Sequence, residues 1–188
     1  MIVTPVPVTI DLLKSDLVRS PGLHASDIYG ELFAELEPKR YRYDGPPNPV
    51  LLAMGTAWEK HFEYLLIANG INVERPEEFM SDDGVAFSPD LVHFNGVTRL
   101  WEIKLSSMSV KDLPTEEANC FPPKFDKYQC QMMLYAYWLG LRDGCLAFLS
   151  LYQPWNPELR LFNITWTDRE LSDNRRMCIN FAKSRGKL

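Results

Sequence analysis

The sequence has no Cys-x-x-Cys pair. Its four cysteines, Cys120, Cys130, Cys145 and Cys178, are widely spaced and have no histidine beside them, out of only 3 histidines in the chain. That pattern excludes the common zinc and iron–sulfur spacings and predicts four reduced, mostly buried thiols. Long apolar runs are missing too, which argues against a membrane-spanning helix, and the opening MIVTPVPVTI has neither the basic flank nor the long apolar core of a secretory leader. These absences predict a cytoplasmic protein. An excess of basic charge is also absent: 20 Lys and Arg against 25 Asp and Glu give a net charge of −5. Such a chain is a poor non-specific coat for nucleic acid, although an acidic body can still carry a basic groove.

What is present is ordinary globular material: 188 residues, 46% hydrophobic and 24% charged, enough for one domain with a substantial core. The division expected is an N-terminal helical extension over 1–49, a core over 50–165 and a basic C-terminal helix over 166–188. From Arg175 onward the charged residues are Arg175, Arg176, Lys183, Arg185 and Lys187, all basic. They read either as a phosphate-holding tail or as a solvated helix end.

The stretch Gly84–Ser107 organises the chain. Asn95-Gly96 is a tight-turn signal between two apolar runs, so the segment reads as a hairpin with Asp90 on one arm and Glu102 and Lys104 on the other. Alternation places Glu102 and Lys104 on one face and Trp101, Ile103 and Leu105 on the opposite, apolar face. Antiparallel pairing brings Asp90 near Glu102, and two adjacent carboxylates repel unless a cation neutralises them. A hard divalent ion suits such oxygens, and Lys104 could orient or activate a water beside it. Glu37-Pro38-Lys39 repeats the Glu-x-Lys spacing around a proline, which a central strand disfavours. The competing reading is a half-solvated strand on which Glu102 and Lys104 form an exposed pair.

The remaining elements follow from periodicity and caps. A largely helical stretch covers 8–36, broken at Ser20-Pro21-Gly22, with Asp11 or Ser15 and then Ser26 or Asp27 as N-caps. Residues 37–49 read as a loop whose Lys39, Arg40 and Arg42 could meet a substrate backbone. Asn48, Pro49 and Gly70 bound a helix with a buried stripe of Leu51, Met54, Trp58, Phe62 and Leu65. On that helix Gly55 and Glu59 stack, and the small Gly55 invites close approach of another segment. A short strand over 71–74 precedes a polar stretch to Asp83, with Asp82 and Asp83 as turn residues. The proline-bearing segment 106–125 has no period and reads as a binding loop or lid. A buried helix over 126–139 presents Gln131 and Tyr135 four residues apart on one face. Strands over 145–152 and 159–165 and a helix from Thr167 or Asp168 complete the order.

With Gly55-x-x-x-Glu59, Pro89-Asp90, Glu102-x-Lys104 and Gln131-x-x-x-Tyr135 in sequence, the chain resembles the PD-(D/E)XK nuclease superfamily, in particular its RecB-type and lambda-exonuclease-like branch. The resemblance covers roughly 50–165. It implies a restriction-endonuclease-like α/β core, a central mixed sheet flanked by helices. It further implies that Asp90 and Glu102 hold Mg2+ or Mn2+ with the backbone carbonyl of Ile103, that Glu59 completes the shell directly or through water, and that Lys104 positions the attacking water. Gln131 and Tyr135, with Lys127 beside them, match the substrate-strand positions. Iron–sulfur members of the branch have a cysteine ahead of the core; here the first is Cys120, so no cluster is expected. The activity implied is a metal-dependent deoxyribonuclease working on DNA ends or single strands in replication, recombination or repair, more readily an exonuclease than an endonuclease, with no membrane partner. A homo-oligomer and a phage or mobile-element origin are compatible with it. The alternatives are a structure-specific endonuclease, or a catalytically silent nucleic-acid-binding or assembly protein on the same fold.

Overall fold

The computed structural model describes residues 20–41, 49–94, 98–106, 109, 111, 121, 123–153 and 155–188. The expected caps Asp11, Ser15 and Asn48, the Asn95-Gly96 turn, Arg42, Cys120 and most of the 106–125 loop lie outside them.

The central sheet has five strands in the order β2-β5-β6-β7-β8. These are β2 (Val73–Glu74), β5 (Leu91–Phe94), β6 (Thr98–Ser106), β7 (Asp143–Ser150) and β8 (Glu158–Thr165). Strand β6 is parallel to β7, and every other pairing in this sheet is antiparallel. A parallel pair needs a crossover, which α4 (Asp126–Leu139) supplies between β6 and β7. The architecture is therefore a mixed sheet flanked by helices, the fold class expected.

Alternation along the strands gives the sheet two dissimilar faces. Trp101, Ile103, Cys145 and Ala147 pack with Leu91, Val73 and with Phe62 and Leu66 of α3 (Pro49–Ala68). Leu100, Leu146 and Phe148 pack on the other face, in one core with Ile28, Tyr29, Leu32 and Phe33 of α1 (Ala25–Leu36), Met132 and Tyr135 of α4, and Leu171, Cys178 and Ile179 of α5 (Asp168–Ser184). Each such large apolar side chain contributes roughly 1.5–3 kcal/mol by leaving water. Gly144 makes the close approach possible: a Cβ there would lie 3.0 Å from Trp166 and 3.2 Å from both the Leu100 carbonyl and the Met132 methyl.

Several expectations are corrected. The first arm of the hairpin is split: β4 (Val85–Phe87) leaves the main sheet to sit between β1 (Leu23–His24) and β3 (Phe79–Met80) in a separate three-stranded sheet. The break falls at Ser88-Pro89-Asp90, where proline cannot donate to a ladder. Helix α1 is capped by His24, with no side-chain cap bond, so neither Ser26 nor Asp27 does that work. Within the expected 37–49 loop, Pro38–Tyr41 forms a helical turn, α2, with proline at its first position. On α3, Met54 is exposed and the stripe runs instead through Trp58, Phe62 and Leu66. Among the described residues none has an atom within 4 Å of a Cβ built on Gly55, so the close approach expected there is not one of the described contacts. Cys130, Cys145 and Cys178 are free thiols, two of them buried. Among the described residues no helix is long and apolar enough to cross a membrane.

Candidate active site

The β5–β6 ladder pairs Leu91 with Trp101, which places Asp90 and Glu102 at its next step. Asp90 lies just outside β5, and its Oδ2 accepts the backbone N–H of Ile103 at 2.6 Å. That charge-assisted bond fixes the carboxylate against β6. Lys104 points the same way as Glu102: its Nζ lies 2.5 Å from Glu102 Oε1 and 4.0 Å from Asp90 Oδ2. The ammonium thus sits between two carboxylates, and its outer side rests 5.3 Å from the Tyr128 ring centroid.

Glu102 is only 1% exposed, so the reading of an exposed strand pair is wrong. Burial lifts its carboxyl to about 7 against the opposing pull of Lys104, and Asp90 adds to the lift. Lys104 is displaced upward: the charges of Glu102 and Asp90 outweigh its own desolvation, so it stays an ammonium. Oε1 of Glu102 faces Lys104 and, at 3.5 Å, the Gln131 amide; Oε2 is buried without a hydrogen-bond partner. An orphaned buried carboxylate oxygen costs several kcal/mol unless something binds it.

Helix α4 supplies the next layer. Gln131 Nε2 donates to the Tyr135 hydroxyl at 2.9 Å. Tyr135 is itself buried against Phe87, ring centroids 5.5 Å apart, and burial raises its phenol above the ordinary range. Lys127 is half-buried between α4 and α1, its Nζ 3.7 Å from a Cβ built at Gly30. Burial first, then the like charge of Lys104, lowers its ammonium below the usual lysine value.

Glu59 approaches from α3. Burial and then Asp90 raise its carboxyl, while Lys104 and Arg75 oppose the rise. Arg75 Nη1 lies 3.6 Å from Glu59 and its Nε 3.2 Å from Glu63. Among the described residues no three His, Cys, Asp or Glu side chains converge on one point, so the tight group is Asp90, Glu102 and Lys104, with Glu59 at its margin. Arg75 and Tyr128 are the residues that sequence reasoning did not assign to this site. Tyr128 had a signal, since 128, 131 and 135 share one helical face; Arg75 had none.

The basic C-terminus goes elsewhere. Arg175 pairs with Asp83, Arg185 with Glu35 and Lys187 with Glu31, which ties α5 and the residues after it to the body, while Arg176 pairs with Asp173 within the helix; each of these cations already has an acid. Arg40 likewise pairs with Glu37. A cleft of about 310 Å3 at the C-terminal end of α4 is lined in part by Arg142 and Asp168, bonded to each other at 2.6 Å, and shares no lining residue with the acidic cluster.

No family model matches the chain, and no curated protein matches it. Solved structures do. The alkaline exonuclease LHK-Exo from Laribacter hongkongensis is similar at 18% identity and TM-score 0.54, with 87% of each chain covered. The structure of LHK-Exo in complex with dAMP is similar at 17% identity and TM-score 0.58, again over 87% of each chain. A phage-related exonuclease from Haemophilus somnus 129PT is similar at 15% identity and TM-score 0.55, over 85% of this chain and 79% of that one. The chain has the nuclease-like α/β fold of these exonucleases, the fold that its PD-(D/E)XK resemblance implies.

Proposed function

We propose that the protein is a metal-dependent deoxyribonuclease that removes nucleotides from DNA ends or single strands. The observation that carries this reading is the buried Glu102 carboxylate with one unpartnered oxygen, set beside Asp90 and Lys104. The structurally similar enzymes are exonucleases, one of them in complex with dAMP, which supports DNA as the substrate. Work in replication, recombination or repair fits that chemistry.

Asp90, Glu102 and the Ile103 carbonyl are hard oxygen donors and suit Mg2+ or Mn2+, with Glu59 joining directly or through water. When bound, such an ion supplies a water that ionises near neutral pH and positive charge against the phosphate. Lys104, set between the two carboxylates, would orient the attacking water and offset charge developing on the phosphate. Gln131 bridges Glu102 and the buried Tyr135 hydroxyl, so Tyr135 would hold the partly exposed Gln131 amide beside the acids, where the substrate strand would lie. Lys127, on the same helix as that pair and close enough to feel the charge of Lys104, would be a further contact for the substrate backbone.

Purified protein incubated with end-labelled linear DNA and with closed circles, each in Mg2+, in Mn2+ and in EDTA, tests the proposal. Metal-dependent loss of linear DNA is expected; nicking of circles would turn the assignment to an endonuclease, and no cleavage of either would overturn it.

A further inference from the structure

We propose that the end of β6 and β7 carries a base-stacking subsite for a single DNA strand, built from Tyr152 and Trp155 with Lys111 as its phosphate contact. This deepens the nuclease reading and rests on it.

The placement comes from register. Strands β6 and β7 run parallel, with Lys104 paired to Phe148 and Ser106 to Ser150. Alternation puts Ser150 on the same face as Lys104, two residues nearer the strand end, a step of roughly 7 Å at about 3.3 Å per residue. There a cleft of about 290 Å3 opens, lined in part by Ser150, Tyr152, Lys111, Asn156 and Glu158. It therefore continues the face on which the acids and Lys104 lie, beyond the carboxyl ends of two parallel strands, where open α/β sheets bind their ligands.

The cleft, together with the turn at its edge that carries Trp155 between the lining residues Gln153 and Asn156, matches a nucleic-acid strand. Tyr152 is 61% exposed and Trp155 84% exposed, so both forgo the burial that normally justifies large aromatic side chains. The backbone holds them out: the Asn156 N–H donates to the Gln153 carbonyl at 2.8 Å, closing the turn that carries Trp155, and the Tyr152 N–H donates to Ser150 Oγ at 3.3 Å. The acid in the cleft, Glu158, is bonded to Arg160 at 3.0 Å, which mutes its repulsion of phosphate. Lys111 lines the same cleft, its backbone N–H bonded to Ser109 Oγ at 3.3 Å. Exposed aromatics beside a lysine form a stacking platform, which engages bases whose faces are open, as in a single strand or a frayed end.

The test measures binding of a fluorescein-labelled single-stranded oligonucleotide in EDTA, by anisotropy, to the full chain and to two variants whose folds are checked by circular dichroism. The double variant Tyr152→Ala/Trp155→Ala is expected to bind roughly 5- to 150-fold more weakly, and Trp155→Phe to stay near wild type. An oligonucleotide with abasic sites should lose affinity for the wild type and far less for the double variant. Equal binding of the intact strand by wild type and double variant would overturn the subsite, as would an equal loss on the abasic strand for both. Cleavage of linear DNA by the wild type in Mg2+ or Mn2+ separates the two ideas. Cleavage with unchanged binding by the double variant removes the subsite alone, whereas aromatic-dependent binding without cleavage removes the nuclease reading and leaves a strand-binding site.

Discussion

Asp83 and Glu102 are two carboxylates drawn into the body of the same protein, and they end in opposite conditions. Asp83 accepts from Arg175 through both oxygens and from Trp138 Nε1 at 3.2 Å. Its bonds are internal and join the turn before β4 to α4 and α5. Glu102 is more deeply buried, shares one oxygen with Lys104 and Gln131, and leaves the other unmatched. A saturated acid is a structural tie; a buried acid with an open valence is a place for something else to bind. The basic residues divide the same way, Arg175 serving the first and Lys104 the second.

The largest expected effect tests the open side of that contrast. Glu102→Gln and Asp90→Asn keep shape and remove charge, and each should lower DNA cleavage at least about 100-fold while leaving the circular dichroism spectrum and thermal midpoint near wild type. Full cleavage by either would erase the distinction. Next comes the ion: Mg2+ or Mn2+ at about 100-fold excess over its dissociation constant should stabilise the wild type by about 2.7 kcal/mol, read by thermal melting and reversed by EDTA, and Glu102→Gln should lose that gain. An equal gain in both would move the ion elsewhere. Asp83→Ala probes the saturated side. It should cost about 2 kcal/mol in urea unfolding and leave cleavage per folded molecule unchanged; lost cleavage without lost stability would contradict its structural role.

The smallest effect concerns a tie at the surface. Thr167 and Glu170 form a reciprocal cap at the start of α5, and Thr167→Ala should cost about 1 kcal/mol in the same unfolding experiment. Hydrogen bonds from the Thr167 backbone and hydroxyl lower the Glu170 carboxyl below its usual value. The contribution is therefore complete above the ordinary glutamate range and fades as pH falls through the depressed folded value, so the difference between wild type and Thr167→Ala should shrink in acid.

What could be read in the sequence was local. Glu102 and Lys104 share a face because strands alternate, Asp90 meets Glu102 because the two arms pair antiparallel with Leu91 opposite Trp101, and Gln131 bonds Tyr135 because four residues make one helical turn. The departure of β4 from the hairpin was hidden, since three residues carry no period and their partners, Leu23 and Phe79, lie in strands of two. The fate of the C-terminal cations was hidden as well. Arg175, Arg185 and Lys187 find their acids 92 to 156 residues away, and no spacing rule reaches so far. Arg75 touches Glu59 only because the chain after β2 runs back along α3.

The β5–β6 register has a consequence for safety. A slip of one residue between these strands would turn Glu102 and Lys104 toward Phe62 and Leu66, and would bring Trp101 and Ile103 round to Gln131. The proposed cutting centre would vanish, and two charges would enter a dry core. Misassembled copies would be both unstable and without that centre, so the proposed activity would depend on the sheet closing in its proper alignment.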